Sequence, residues 1–178
     1  MKNSFFHFAL AVLAALAIAG CSSDKSGDCP TMTAITDAAV QTVFRPGSAP
    51  DPANVLYTVE IAGVKGVCDM DKKARTADAG LEVTFRATRA PSGGEAHYTV
   101  PYFVAVTEGS ERIMAKRIYS IAIAFAPGQT TVTLTDTVES THLQTTKDKK
   151  PYDYQILVGL QLSKAELDYN RQSGHYGP

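Results

Sequence analysis

Three cysteines, four histidines and scattered serines and aspartates are the residues of this 178-residue chain able to ligate a metal or attack a substrate. Cys21, Cys29 and Cys68 lack CxxC spacing, so neither zinc nor a redox dithiol is supported. His97, His142 and His175 stand singly, and no HExxH occurs. Asp69-Met70-Asp71 opens like a calcium loop, but Lys73 and Ala74 stand where an acidic or amide residue and a glycine should follow. Residues Asp69 to Asp78 are therefore read as a solvated loop. Asp136, Ser140 and His142 fall on one predicted strand, where strict alternation gives them a common face. Strand neighbours two apart are about 7 Å apart at the backbone, and nothing supplies an oxyanion hole, so they read as a polar outer face. GxSxG and SxxK are missing, and Gly63-Val64-Lys65-Gly66 lacks the rest of a phosphate loop. The expectation is a chain with no catalytic residues, no bound metal and no cofactor.

What remains is a set of aromatics around the predicted strands. Tyr98, Tyr102 and Phe103 are the candidate partner surface, because Tyr is favoured at interfaces and Pro101 cannot donate a ladder hydrogen bond, which suggests an edge strand or bulge. An edge is where a partner strand can add. The lysine and arginine groups at Lys72, Lys73, Arg75 and at Lys147, Lys149, Lys150 have acidic neighbours and read as solvated loops. With a formal net charge of -1, nucleic acid is not the expected partner.

The elements that must position these residues are strands. Leu81, Val83, Phe85 and Ala87 alternate with Glu82, Thr84 and Arg86, the pattern of a half-buried strand. Similar runs cover Val55 to Ala62, His97 to Val106, Arg112 to Phe125, Thr130 to Ser140 and Tyr154 to Leu162, with a weaker first strand over Ala34 to Phe44. RPGSAPDPAN, APSGGE, EGSE and APGQ separate them with turn residues. About seven strands without crossover helices predict an all-β antiparallel sandwich, immunoglobulin-like or fibronectin-like, with a small closed barrel as the second choice. Ser163-Lys164-Ala165-Glu166 is a capping box that starts a short C-terminal helix, ending near Arg171 or Gln172 and docking through Leu167 and Tyr169. One domain over residues 31–178 is expected, with 44% hydrophobic and 20% charged residues in the whole chain.

Ahead of it, Met1-Lys2-Asn3 precedes an apolar run from Phe5 to Ile18, interrupted only by His7. The run ends at Ile18-Ala19-Gly20-Cys21, which resembles the lipobox of bacterial lipoproteins. The resemblance implies that residues 1–20 are a signal peptide, that the Cys21 thiol is acylated and that the new amino terminus is acylated as well. Residues 21–30 then hold the lipidated cysteine and a short polar tether. Ser22 and Ser23, rather than Asp, follow the cysteine, which in that family implies the periplasmic face of the outer membrane. With Cys21 consumed, Cys29 and Cys68 remain as an even pair in an oxidising compartment, either as a disulfide or as two separate buried thiols.

The closing stretch LVGLQLSKAELDYNR resembles the end of uncharacterised Gram-negative envelope lipoproteins, a likeness that implies no activity. The functional expectation is a noncatalytic accessory or scaffold subunit, held on the membrane by its lipid and binding another envelope protein. One alternative is a module that recognises glycan or inhibits a secreted enzyme, through an aromatic patch at Arg89 to Glu95 or Thr107 to Glu111. Another is an enzyme that joins His97 or His142 to distant carboxylates.

Overall fold

The structure, a computed structural model, describes residues 29–91, 94–110 and 112–174. Among these described residues eight strands form where alternation or continuous apolar character allows one face to be buried: β1 (Thr31–Ala34), β2 (Val40–Phe44), β3 (Val55–Asp71), β4 (Thr76–Thr88), β5 (Ala96–Glu108), β6 (Arg112–Phe125), β7 (Thr131–Gln144) and β8 (Tyr154–Leu160). They make two four-stranded sheets, ordered β1-β8-β5-β6 and β2-β3-β4-β7. The expected all-β sandwich is what the chain adopts. Its centre is interlocked: β4 pairs with β7 and β5 with β8, while the β4-to-β5 and β7-to-β8 connections each cross between sheets. That is the relation of strands B, C, E and F in immunoglobulin-like sandwiches.

The core lies between these sheets. Val59, Ile61, Val83, Phe85 and Ala87 meet Val100, Tyr102, Ile123, Ile156 and Val158, all buried. Each large apolar side chain so covered contributes about 1.5–3 kcal/mol.

Three expectations change in detail. The weak first strand is two strands, because the turn at Thr36–Ala38 lets β1 pair parallel to β8 in one sheet and β2 pair antiparallel to β3 in the other. Asp69 to Asp78 is no loop: β3 continues through Gly63, Gly66 and Asp71, and β4 returns from Thr76 in register with it. A Cβ at Gly66 would meet the flexible Met32 side chain, which would have to shift. The turn itself is only Lys72–Arg75, with Arg75 at φ 57°. Lastly, β5 is not an edge. It lies between β8 and β6, and Pro101 is tolerated because its carbonyl accepts from Gln161 N at 3.0 Å just past the end of β8, where no further ladder donor is required.

The capping box forms as read. Ser163 N donates to Glu166 Oε2 at 2.6 Å and Glu166 N to Ser163 Oγ at 3.3 Å, opening α1 (Lys164–Ser173), and Gly174 ends it at φ 66°. The helix docks on β2 and the turn before it. Tyr169 packs edge-on against Phe44, fully buried Asn170 donates to the Val40 carbonyl at 2.7 Å, and Arg171 pairs with Asp37 at 2.9 Å.

Candidate functional site

Cys29 and Cys68 form a disulfide, their Cα atoms 6.1 Å apart. The bridge ties the residues leading into β1 to the far part of β3, three residues before that strand ends at Asp71, so it closes one side of the sandwich across the two sheets. Cys21, the expected signal peptide over residues 1–20 and His175 lie outside the described residues. No helix among the described residues is long and apolar enough to cross a membrane.

The aromatic trio divides between the two faces of β5. Tyr98 points inward onto Tyr57, with ring centres 4.1 Å apart. Tyr102 also points inward and is completely buried, stacked on Tyr119 at 5.4 Å and against Phe85 at 5.0 Å. Phe103 faces the other way, lying over Gly159 and under the Lys116 ammonium, 4.0 Å from its ring centre. These three side chains therefore share no common surface. Tyr102 holds the sheets together instead: its hydroxyl crosses the sandwich and donates to Asp136 Oδ2 on β7 at 2.8 Å. Burial, and then the bond to Asp136, push the Tyr102 hydroxyl pKa well above its ordinary value.

Asp136 facing inward overturns the polar outer face expected for Asp136, Ser140 and His142. Leu81 pairs with Val138 but Ala79 with Thr141, so β7 carries one extra residue. This bulge shifts the alternation. Before it, Asp136 and Val138 face the core; after it, Leu143 does, and His142 turns outward to Asp78, with Nδ1 2.8 Å from Oδ1. His97 bonds its neighbour Glu95 at 2.8 Å. Both histidine pairs are exposed, and among the described residues no three His, Cys, Asp or Glu side chains gather as a metal site. At the Arg89 loop, the guanidinium bonds the carbonyls of Gln129, Gly94 and Ala126 and lies 4.6 Å over Phe125, which holds that end of the sandwich together.

The accessible feature is on the side opposite the disulfide, where β6 and β7 are the edges of their sheets. There the sheets part, leaving a cleft of about 330 Å³ lined by Val104, Val106, Arg117, Tyr119, Ser140 and Thr141. From Arg112 to Ile118 every residue of β6 is exposed, on both faces, including Ile113 at 65% and Ile118 at 60%. The sequence pattern over Arg112 to Phe125 predicts a half-buried strand, whereas its first seven residues are exposed. The available signal was the pair Lys116-Arg117, which puts a charge on each face and so prevents both from being covered. The chain matches no family model, no curated protein and no solved structure.

Proposed function

We propose that this protein is an outer-membrane lipoprotein, anchored through Cys21 and facing the periplasm, that serves as a noncatalytic accessory subunit by holding another envelope protein along β6. What supports the anchor is the apolar run ending in Ile18-Ala19-Gly20-Cys21, together with a disulfide of the kind an oxidising compartment permits. The partner half rests on one observation: a long sheet edge with seven consecutive exposed residues. An edge strand presents unpaired N–H and C=O groups and accepts an added strand unless something covers it.

Charge selects the partner segment. Residues 112–125 contain Arg112, Lys116 and Arg117 and no carboxylate. A second copy aligned on the same exposed stretch would bring like charges together, which opposes pairing. An extended segment carrying Asp or Glu fits instead, its backbone on β6 and its acids toward Arg117 and Lys116.

Photocrosslinking residues placed at Ile113 and Ile118 in intact cells test this, with Val67, 76% exposed on β3, as the control position. One envelope protein captured at both β6 positions through an acidic segment, lost in Arg117→Glu and in Cys21→Ser, is the expected result. Equal capture at Val67, or no capture from β6 at efficient crosslinking, would overturn the reading.

A further inference from the structure

The two basic groups, about 70 positions apart in sequence, meet in space. Pairing of β4 with β7 runs to the end of both strands, Thr76 opposite Gln144, so the Lys72–Arg75 turn abuts the β7–β8 connection. Gln144 Nε2 donates to the Ala74 and Arg75 carbonyls, each at 3.0 Å, and Thr145 donates to the Arg75 carbonyl through its N–H at 2.9 Å and its hydroxyl at 3.1 Å. These bonds hold Arg75 at φ 57°, the only non-glycine residue among those described with positive φ. A glycine would take that conformation without strain, so keeping an arginine side chain there costs about 1 kcal/mol. Such outliers concentrate where a side chain has a task.

Between turn and connection lies a cleft of about 310 Å³, whose charged lining is Lys72, Arg75, Lys147, Lys149 and Lys150, with no carboxylate. Asp148, between Lys147 and Lys149 in sequence, is outside that lining, and three other acids near by are turned to other work. Asp71 accepts from the N–H groups of Lys73 and Ala74 at 2.8 and 2.9 Å, and Asp153 from Lys150 N at 2.7 Å. Glu108 lies between Arg112 at 3.3 Å and Lys149 at 3.2 Å. Among the described residues no carboxylate pairs with Arg75, Lys147 or Lys150. A small cleft with this lining suits a phosphate group, which accepts from several cationic donors at once.

Its position suggests the source of that phosphate. Met70, which lines the cleft, is two residues beyond Cys68, so the disulfide brings Cys29 to the same end of the sandwich. Cys21 is eight positions earlier in sequence, a span of at most about 28 Å. We infer that this cleft binds the phosphate of an anionic lipid headgroup in the leaflet that holds the Cys21 acyl chains, an inference that rests on the anchor reading above. The anchored domain then sits with its Arg75 end on the membrane, and the exposed stretch of β6 runs away from that end, starting at Arg112, which shares Glu108 with Lys149.

The test uses the full lipidated protein in vesicles, with lysine acylation rates read residue by residue by mass spectrometry. Moving from zwitterionic to anionic lipid should slow Lys147 and Lys150 by about fivefold, equivalent to ~1 kcal/mol per cation near the surface. Lys164, beyond the far end of β8, should not change. Unchanged rates at Lys147 and Lys150, or equal slowing at Lys164, would overturn the inference. So would protection by millimolar inorganic phosphate in zwitterionic vesicles without any from anionic lipid, which would assign the cleft to a soluble phosphate. Intact mass separates the two readings: a Cys21 without acyl chains removes the anchor, while the rates at Lys147 and Lys150 still decide the cleft.

Discussion

Tyr102 and Asp136 bridge the sheets with a carboxylate turned toward the core, close to the open edge. Losing that bond in Tyr102→Phe should lower unfolding free energy by about 1–2 kcal/mol, less than for a sealed site because Asp136 is only partly buried and water can replace the hydroxyl. The hydroxyl should also leave a pH signature. Its pKa is raised in the folded protein above the ordinary value of 10, so the native state holds this proton more tightly. The stability it contributes is complete below pH 10 and falls as pH rises through the folded value. Urea midpoints at pH 8 and pH 11 should therefore drop further in the parent protein than in Tyr102→Phe. At this scale sequence served least. Tyr102 beside Pro101 suggested a surface, because proline's missing donor is tolerated at an edge, and nothing local shows that β8 stops one residue short of needing it. Asp136 was misplaced because a single extra residue in β7 exchanges the two faces, and no residue type announces that bulge.

Elements were more legible than contacts. The alternation Leu81-Val83-Phe85-Ala87 and the run from Tyr154 to Leu162 both fall on buried strands, the second ending two residues early at Leu160. Ser163-x-x-Glu166 marked the first residue of α1, since both capping bonds depend only on local spacing. The far half of β3 was missed because Gly63, Gly66, Asp69 and Asp71 imitate a turn, whereas β4 supplies every one of their partners. Two substitutions in α1 should separate local from tertiary contributions. Ser163→Ala removes a cap and should cost about 1 kcal/mol. Asn170→Ala leaves the Val40 carbonyl buried without its donor and should cost about 1–3 kcal/mol, the larger loss in urea unfolding. Both variants should leave capture by β6 unchanged, because α1 docks on β2 in the other sheet.

As a whole the molecule is asymmetric, sealed on one side and open on the other. β1, parallel to β8, occupies the flank where an immunoglobulin-type sandwich would add an antiparallel final strand, and the disulfide joins that flank to β3. Bridging residues 39 apart in sequence should contribute about 4 kcal/mol through chain entropy, so Cys29→Ser/Cys68→Ser should unfold at clearly lower denaturant, with no further effect of reductant. The pairing followed from counting cysteines once Cys21 was set aside, but its location could not, because the register of β3 was hidden in apparent turn residues. The bridge also decides how the fold meets mechanical load. Tension arriving along the chain ahead of Cys29 passes at once through sulfur into β3 at Cys68, within the stretch that pairs residue by residue with β4 from Gly63 to Asp71. The four-residue β1 is bypassed. Reduced, the same pull would first peel β1 from β8, so the oxidised protein resists tension with a long hairpin where the reduced one resists with a short strand.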